Sequence, residues 1–194
     1  MEYAVTIANI INGNLKKAFP EGIYNSIAKV IADRREDPDK GGKSFPAIVE
    51  KNGEAKPIDI GENTFEVYHR CISIQSSPSN KPGFGRALNP LSVKMKMCMI
   101  LFSDITKTKL SPDELALQVH GLIARKNLKS IIDGVKNTSI LINDTILNET
   151  QVFGEEFKNI DFFLGPEHSM IKINYTVEST VNQKCFNTVC KQTS

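Results

Sequence analysis

An α+β fold is what this sequence predicts: a mainly antiparallel sheet of about five to six strands, with helices packed on one side. Three observations lead there. Ile171, Ile173, Tyr175 and Val177 alternate with Lys172, Asn174, Thr176 and Glu178, the period of a half-buried antiparallel strand with one wet face. Ser111-Pro112-Asp113-Glu114 matches a capping box, with Ser111 at N-cap and Glu114 at N3. Finally, the helical patterns fall before and between strand-like runs.

In chain order, Val5, Ile7, Ile10 and Ile11 give an apolar stripe ahead of Gly13, and Phe19-Pro20-Glu21 opens a second segment. There Ile23, Ile27, Val30 and Ile31 follow one helical face, with Pro20 suited to the first turn, so two N-terminal helices are expected. Residues 33–42 break the pattern as a charged loop ending in Gly41-Gly42. Phe45-Pro46-Ala47-Ile48-Val49-Glu50 reads as the first strand, and Asn52-Gly53 as a turn. Thr64 to Gln75 reads as a second strand, with Phe65, Val67, Tyr68, Ile72 and Ile74 apolar; the phase shift between Val67 and Tyr68 predicts a bulge or a change of buried face.

Residues 76–90 are rich in Ser, Pro, Gly and Asn, and a loop of that length is often functional. Phe84 and Leu88 within it predict docking on a partner. Ser92 to Phe102 is a strand with Val93, Met95, Met97, Met99 and Leu101 on one face; its other face is wet at Lys94 and Lys96 and buried from Cys98. The methionines fit core packing. After the capping box, Leu115, Val119, Leu122 and Ile123 make the inward stripe, and Arg125 and Lys126 suit the far end of the helix dipole. Residues 138–151 are β-prone, and 154–168 read as an irregular piece holding Phe157, Phe162 and Phe163. One domain is expected over 1–180, with the 76–90 loop as an interaction arm, followed by a tail over 181–194 that has no clear period.

The 194 residues carry 24 basic and 22 acidic side chains, a net +2, not the surplus of a free-standing nucleic-acid binder. No basic leader or apolar run of membrane-spanning length is present, so a cytoplasmic site of synthesis is expected, with no membrane partner. Cys71 and Cys98 sit in strand-like runs as small hydrophobes, and Cys185 and Cys190 lack the second Cys/His pair that a zinc site needs.

No catalytic constellation emerges from the spacing of the chemical residues. Strand alternation is expected to separate His69 from the neighbouring thiol of Cys71; His120 has no HExxH around it, and His168 is expected in a loop. Gly83-Phe84-Gly85 lacks the third glycine and the strand–helix setting of a dinucleotide fingerprint, and no phosphate-loop or nucleophile-elbow pattern occurs. A non-enzymatic protein without cofactor or metal is therefore expected. The alternatives are a small cytoplasmic enzyme built around Cys71 or Cys98, and a DNA-binding accessory protein of a phage or mobile element.

The element order resembles the tail-terminator and tail-completion family of tailed phages. The resemblance is carried by Phe45-Pro46-Ala47-Ile48-Val49, by Val93 to Phe102 leading into Ser111-Pro112-Asp113-Glu114-Leu115, and by Ile171 to Glu178. The chain is longer than that family's pattern by the 76–90 loop and the Cys-bearing tail, and in this it is similar to neck or tail ring proteins of crAss-like podoviruses. The resemblance implies a virion structural protein assembled in the host cytoplasm. It would form a closed homo-oligomeric ring at the head–tail connector, near the genomic DNA, with other neck, tail and portal proteins as partners. Phe84, Arg86, Leu88, Phe162, Phe163, Cys185 and Phe186 are the expected interface residues.

Overall fold

The computed structural model describes residues 2–34, 44–49, 53–58, 62–79, 90–124, 135–147, 149–152 and 167–182. Its elements are α1 (Glu2–Ala18), β1 (Ile23–Ile27), β2 (Lys29–Arg34), β3 (Ser44–Val49), β4 (Ala55–Pro57), β5 (Phe65–Pro78), β6 (Pro90–Asp104), α2 (Ile105–Thr108), α3 (Pro112–Ala124), β7 (Val135–Ile146), α4 (Glu149–Val152) and β8 (His168–Asn182). The α+β expectation holds. A five-stranded sheet in the order β1-β5-β6-β8-β7 carries the core, and β2-β3-β4 form a second sheet. All pairings within the larger sheet are antiparallel except β1 with β5.

One face of the larger sheet is the hydrophobic centre. Phe65 and Val67 of β5, Met95, Met97, Met99 and Leu101 of β6, and Ile171, Ile173, Tyr175 and Val177 of β8 are all buried there. The methionines are core residues, as their alternation predicts. Two helices cover this face. From α1 come Ala4, Ile7, Ala8, Ile11 and Leu15, spaced as one helical stripe; from α3 come Leu115, Ala116, Val119 and Ile123. The capping box forms in part as expected: the Ser111 N–H and hydroxyl both donate to Glu114 Oε2, at 2.9 and 2.6 Å. Those bonds hold the Glu114 carboxyl below the usual range.

The opposite face is covered at one end. Tyr68, Ile100, Phe102 and Met170 meet Ile48 and Ile58 from the smaller sheet and its flank, and Val152 of α4. That cover explains two departures from expectation. Phe65 to His69 are buried on both faces, so the apolar phase shift at Val67/Tyr68 is a doubly covered segment and not a bulge; the register break lies between Cys71 and Ser73. Likewise β8 is not wet along its second face: Lys172 and Thr176 are buried, whereas Glu178 is exposed and pairs with Lys94 at 3.2 Å.

The expected second helix is the main correction. Residues 23–27 and 29–34 are two short strands that enter different sheets, β1 beside β5 and β2 beside β3. Ile, Val and Tyr are good strand formers, and the spacing of Ile23, Ile27, Val30 and Ile31 mimics a helical stripe across the join at Ala28. Pro20 lies in the turn after α1, not in a helix, and α1 itself passes through Gly13 to Ala18. Gly53, φ +86°, supplies the left-handed residue on the way from β3 to its antiparallel partner β4. His168 begins β8 and does not sit in a loop.

Candidate functional site

Two features carry the chemistry of the described residues: a buried polar chain through the core, and the outer edges of the larger sheet.

The polar chain centres on His69, which is fully buried on the helix-covered face. Its Nε2 lies 2.8 Å from Asn12 Oδ1 on α1, and its Nδ1 lies 3.0 Å from the Tyr175 hydroxyl on β8. The Asn12 amide nitrogen donates to the Asn25 carbonyl at 2.8 Å, which fixes Asn12 Oδ1 as the acceptor facing His69. Nε2 therefore carries the imidazole proton, and Nδ1 accepts from Tyr175. Asn25 extends the chain by donating to Glu66 Oε1 at 2.6 Å. Burial pulls the His69 pKa down to about 3, so the ring is neutral at physiological pH. Both of its nitrogens are committed, one to Asn12 on α1 and one to Tyr175 on β8. The arrangement fastens α1 to the sheet and leaves His69 a poor proton acceptor.

Strand alternation does not separate His69 from Cys71. The two are two positions apart and share a face, opposite Met99 and Met97 respectively. Their proximity does not make a nucleophile, because burial pushes the Cys71 thiol up rather than down. The same holds for Cys98, which is buried on the other face. The remaining histidines have structural contacts. His120 Nε2 lies 2.7 Å from Thr145 Oγ1, tying α3 to β7, and His168 stacks on Phe102 with ring centroids 5.4 Å apart. Among the described residues no group of three or more His, Cys, Asp or Glu side chains is placed to hold a metal ion, and no helix is long and apolar enough to cross a membrane.

The sheet edges are the second feature. β1 lies beside β5 only from Glu66 to His69, after which the chain turns away through Ala28 into the other sheet. Among the described residues, β5 from Arg70 to Pro78 then has a partner on one side only, and β7 likewise pairs only with β8. Large apolar side chains are exposed on both edges. Ile72, the extra residue of the register break, is 57% exposed; Ile74 is 48% exposed on β5 and Leu141 62% exposed on β7. From Cys71 to Ser77 the β5 edge carries no charged residue, the usual protection of an edge against another chain.

The seven interface residues expected from sequence, Phe84, Arg86, Leu88, Phe162, Phe163, Cys185 and Phe186, are not among those described. Ile72, Ile74 and Leu141 went unselected because their strands read as ordinary core material. The available signal was an uncharged β-prone run, Cys71 to Ser77, ending at a proline. The sequence matches no family model and no curated protein.

Proposed function

We propose that this chain is a non-catalytic structural subunit that assembles with copies of itself into a closed ring, and that the ring belongs to the neck or tail of a tailed phage. There it would join tail to capsid around the DNA channel, with neck, tail or portal proteins as neighbours. The observation that carries the self-assembly is the β5 edge from Arg70 to Pro78, with Ile72 and Ile74 exposed and no charge between Cys71 and Ser77. A strand edge of this kind is a template for another chain. The phage assignment rests on the resemblance in element order. The fragments that carry it fall on β3, β6, the capped α3 and β8. A non-catalytic role is supported by the state of the core histidine and thiols: His69 is neutral with both nitrogens engaged, and Cys71 and Cys98 are held in the thiol form by burial.

Negative-stain imaging of the purified chain, with peptide mass spectrometry of purified virions from the source phage, tests the proposal. Annular particles and peptides at structural-protein abundance are expected. A chain absent from virions contradicts the phage assignment, and a chain that gives no annular particle contradicts the ring.

A further inference from the structure

The residue register places level with each other the two edges of the larger sheet that, among the described residues, have no further strand beside them. β5 from Arg70 to Pro78 lies against β6 from Cys98 to Leu91; that stretch of β6 lies against β8 from Asn174 to Val181; and that stretch of β8 lies against β7 from Asp144 to Val135. Following the rows across, Arg70 is in line with Asp144, Cys71 with Ile142, Ser73 with Leu141, Ile74 with Ile140, Gln75 with Ser139, and Pro78 with Val135. The four strands also alternate in direction, because each pairing from β5 to β7 is antiparallel. The two edges therefore run in opposite senses.

We infer that the β5 edge of one copy pairs antiparallel with the β7 edge of the next, Arg70–Pro78 against Val135–Asp144, so that the sheets of neighbouring subunits form one continuous sheet. This deepens the ring reading and rests on its self-assembly half. The occupant is a second copy of this chain for two reasons. Adding β5 beyond β7 continues the antiparallel alternation without a break. It also brings Ile74 into the row of Ile140 and covers the exposed Leu141 with the strand that holds Ser73. β1 closes the β5 edge above His69, which limits the seam to this segment. The two paired edges are different, so the contact is heterologous; the sheet's twist turns each copy relative to the last, as a cyclic ring requires.

Disulfide trapping tests this. Within one chain Ser73 and Leu141 are three strand spacings apart, roughly 14 Å, too far for a disulfide, whose Cα atoms usually lie within about 7 Å of each other. Across the seam they are direct neighbours. The double variant S73C/L141C, made in a chain whose Cys71, Cys185 and Cys190 are serine, is oxidised and run on a denaturing non-reducing gel. A ladder of multiples is expected from the double variant and none from either single variant. Because Ile74 is at the surface, Ile74→Lys should keep the folded circular-dichroism spectrum while the native mass falls to that of one chain. Oligomers that yield no ladder, or dimers from S73C alone, overturn this seam while leaving self-assembly standing. A monomeric parent chain with no ladder overturns both.

Discussion

The imidazole of His69 and the hydroxyl of Tyr175 meet at 3.0 Å although 106 positions separate them in the chain. The contact joins β5 to β8 across the β6 strand that lies between them, and Asn12 continues it into α1. Such a chain orders the core, because every member has one arrangement that satisfies the rest. Its cost is that the imidazole cannot ionise without breaking it.

The pH dependence of stability follows from that cost. The unfolded chain takes up a proton on His69 below about pH 6.5, whereas the folded chain resists doing so until about pH 3. Stability contributed by the neutral ring is thus fully present above the unfolded value and is lost as pH falls between the two. The slope from this group is at most about 1.4 kcal/mol per pH unit. Urea midpoints measured from pH 7 to pH 4 should fall more steeply for the parent chain than for His69→Gln. Equal slopes would remove His69 from the explanation.

Two tyrosines in the core should respond oppositely to loss of their hydroxyls. Tyr175→Phe leaves His69 Nδ1 buried with no donor, and should destabilise by about 1–3 kcal/mol. Tyr68 is equally buried, but its hydroxyl has no hydrogen-bond partner among the described residues. Tyr68→Phe should be neutral or stabilising in the same urea titration. Comparable losses for the two variants would contradict the bonding described for Tyr175.

Gly22 is held by close approach. A Cβ there would lie 2.9 Å from the Phe65 ring and 3.0 Å from the Tyr24 hydroxyl. The Phe65 ring cannot easily yield, because Phe19 and Tyr24 pack edge-on against it at centroid distances of 5.3 and 5.6 Å. Tyr24 is itself tied down, its hydroxyl donating to the Phe19 carbonyl. Gly22→Ala should cost about 1–3 kcal/mol by crowding, read as a lowered thermal midpoint. Phe65→Leu in the same background should recover part of the loss.

Much of the fold was legible because its signals were local. The capping box at Ser111, the five-residue apolar row from Val93 to Leu101 and the alternation from Ile171 to Val177 each state their element without help from the rest of the chain. The strands at 23–34 were not legible, because their identity comes from pairing with Glu66–His69 and with Ser44–Val49, partners set by topology. The buried second face of β8 was hidden for the same reason: Lys172 and Thr176 look solvated until the fold covers them. The candidate assembly edge was the least legible of all. Ile72 and Ile74 lie past the point where β1 pairs with their strand, Ile72 at the register break, and both are exposed among the described residues.

The native mass of the purified chain, measured by light scattering over a hundredfold range of concentration, bears most directly on whether it works by assembling with itself. One chain has a mass of 21.6 kDa. A closed ring predicts a single species at a fixed integer multiple of that mass, unchanged on dilution and by moderate salt. A species at the mass of one chain throughout the range would contradict self-assembly and the ring built on it.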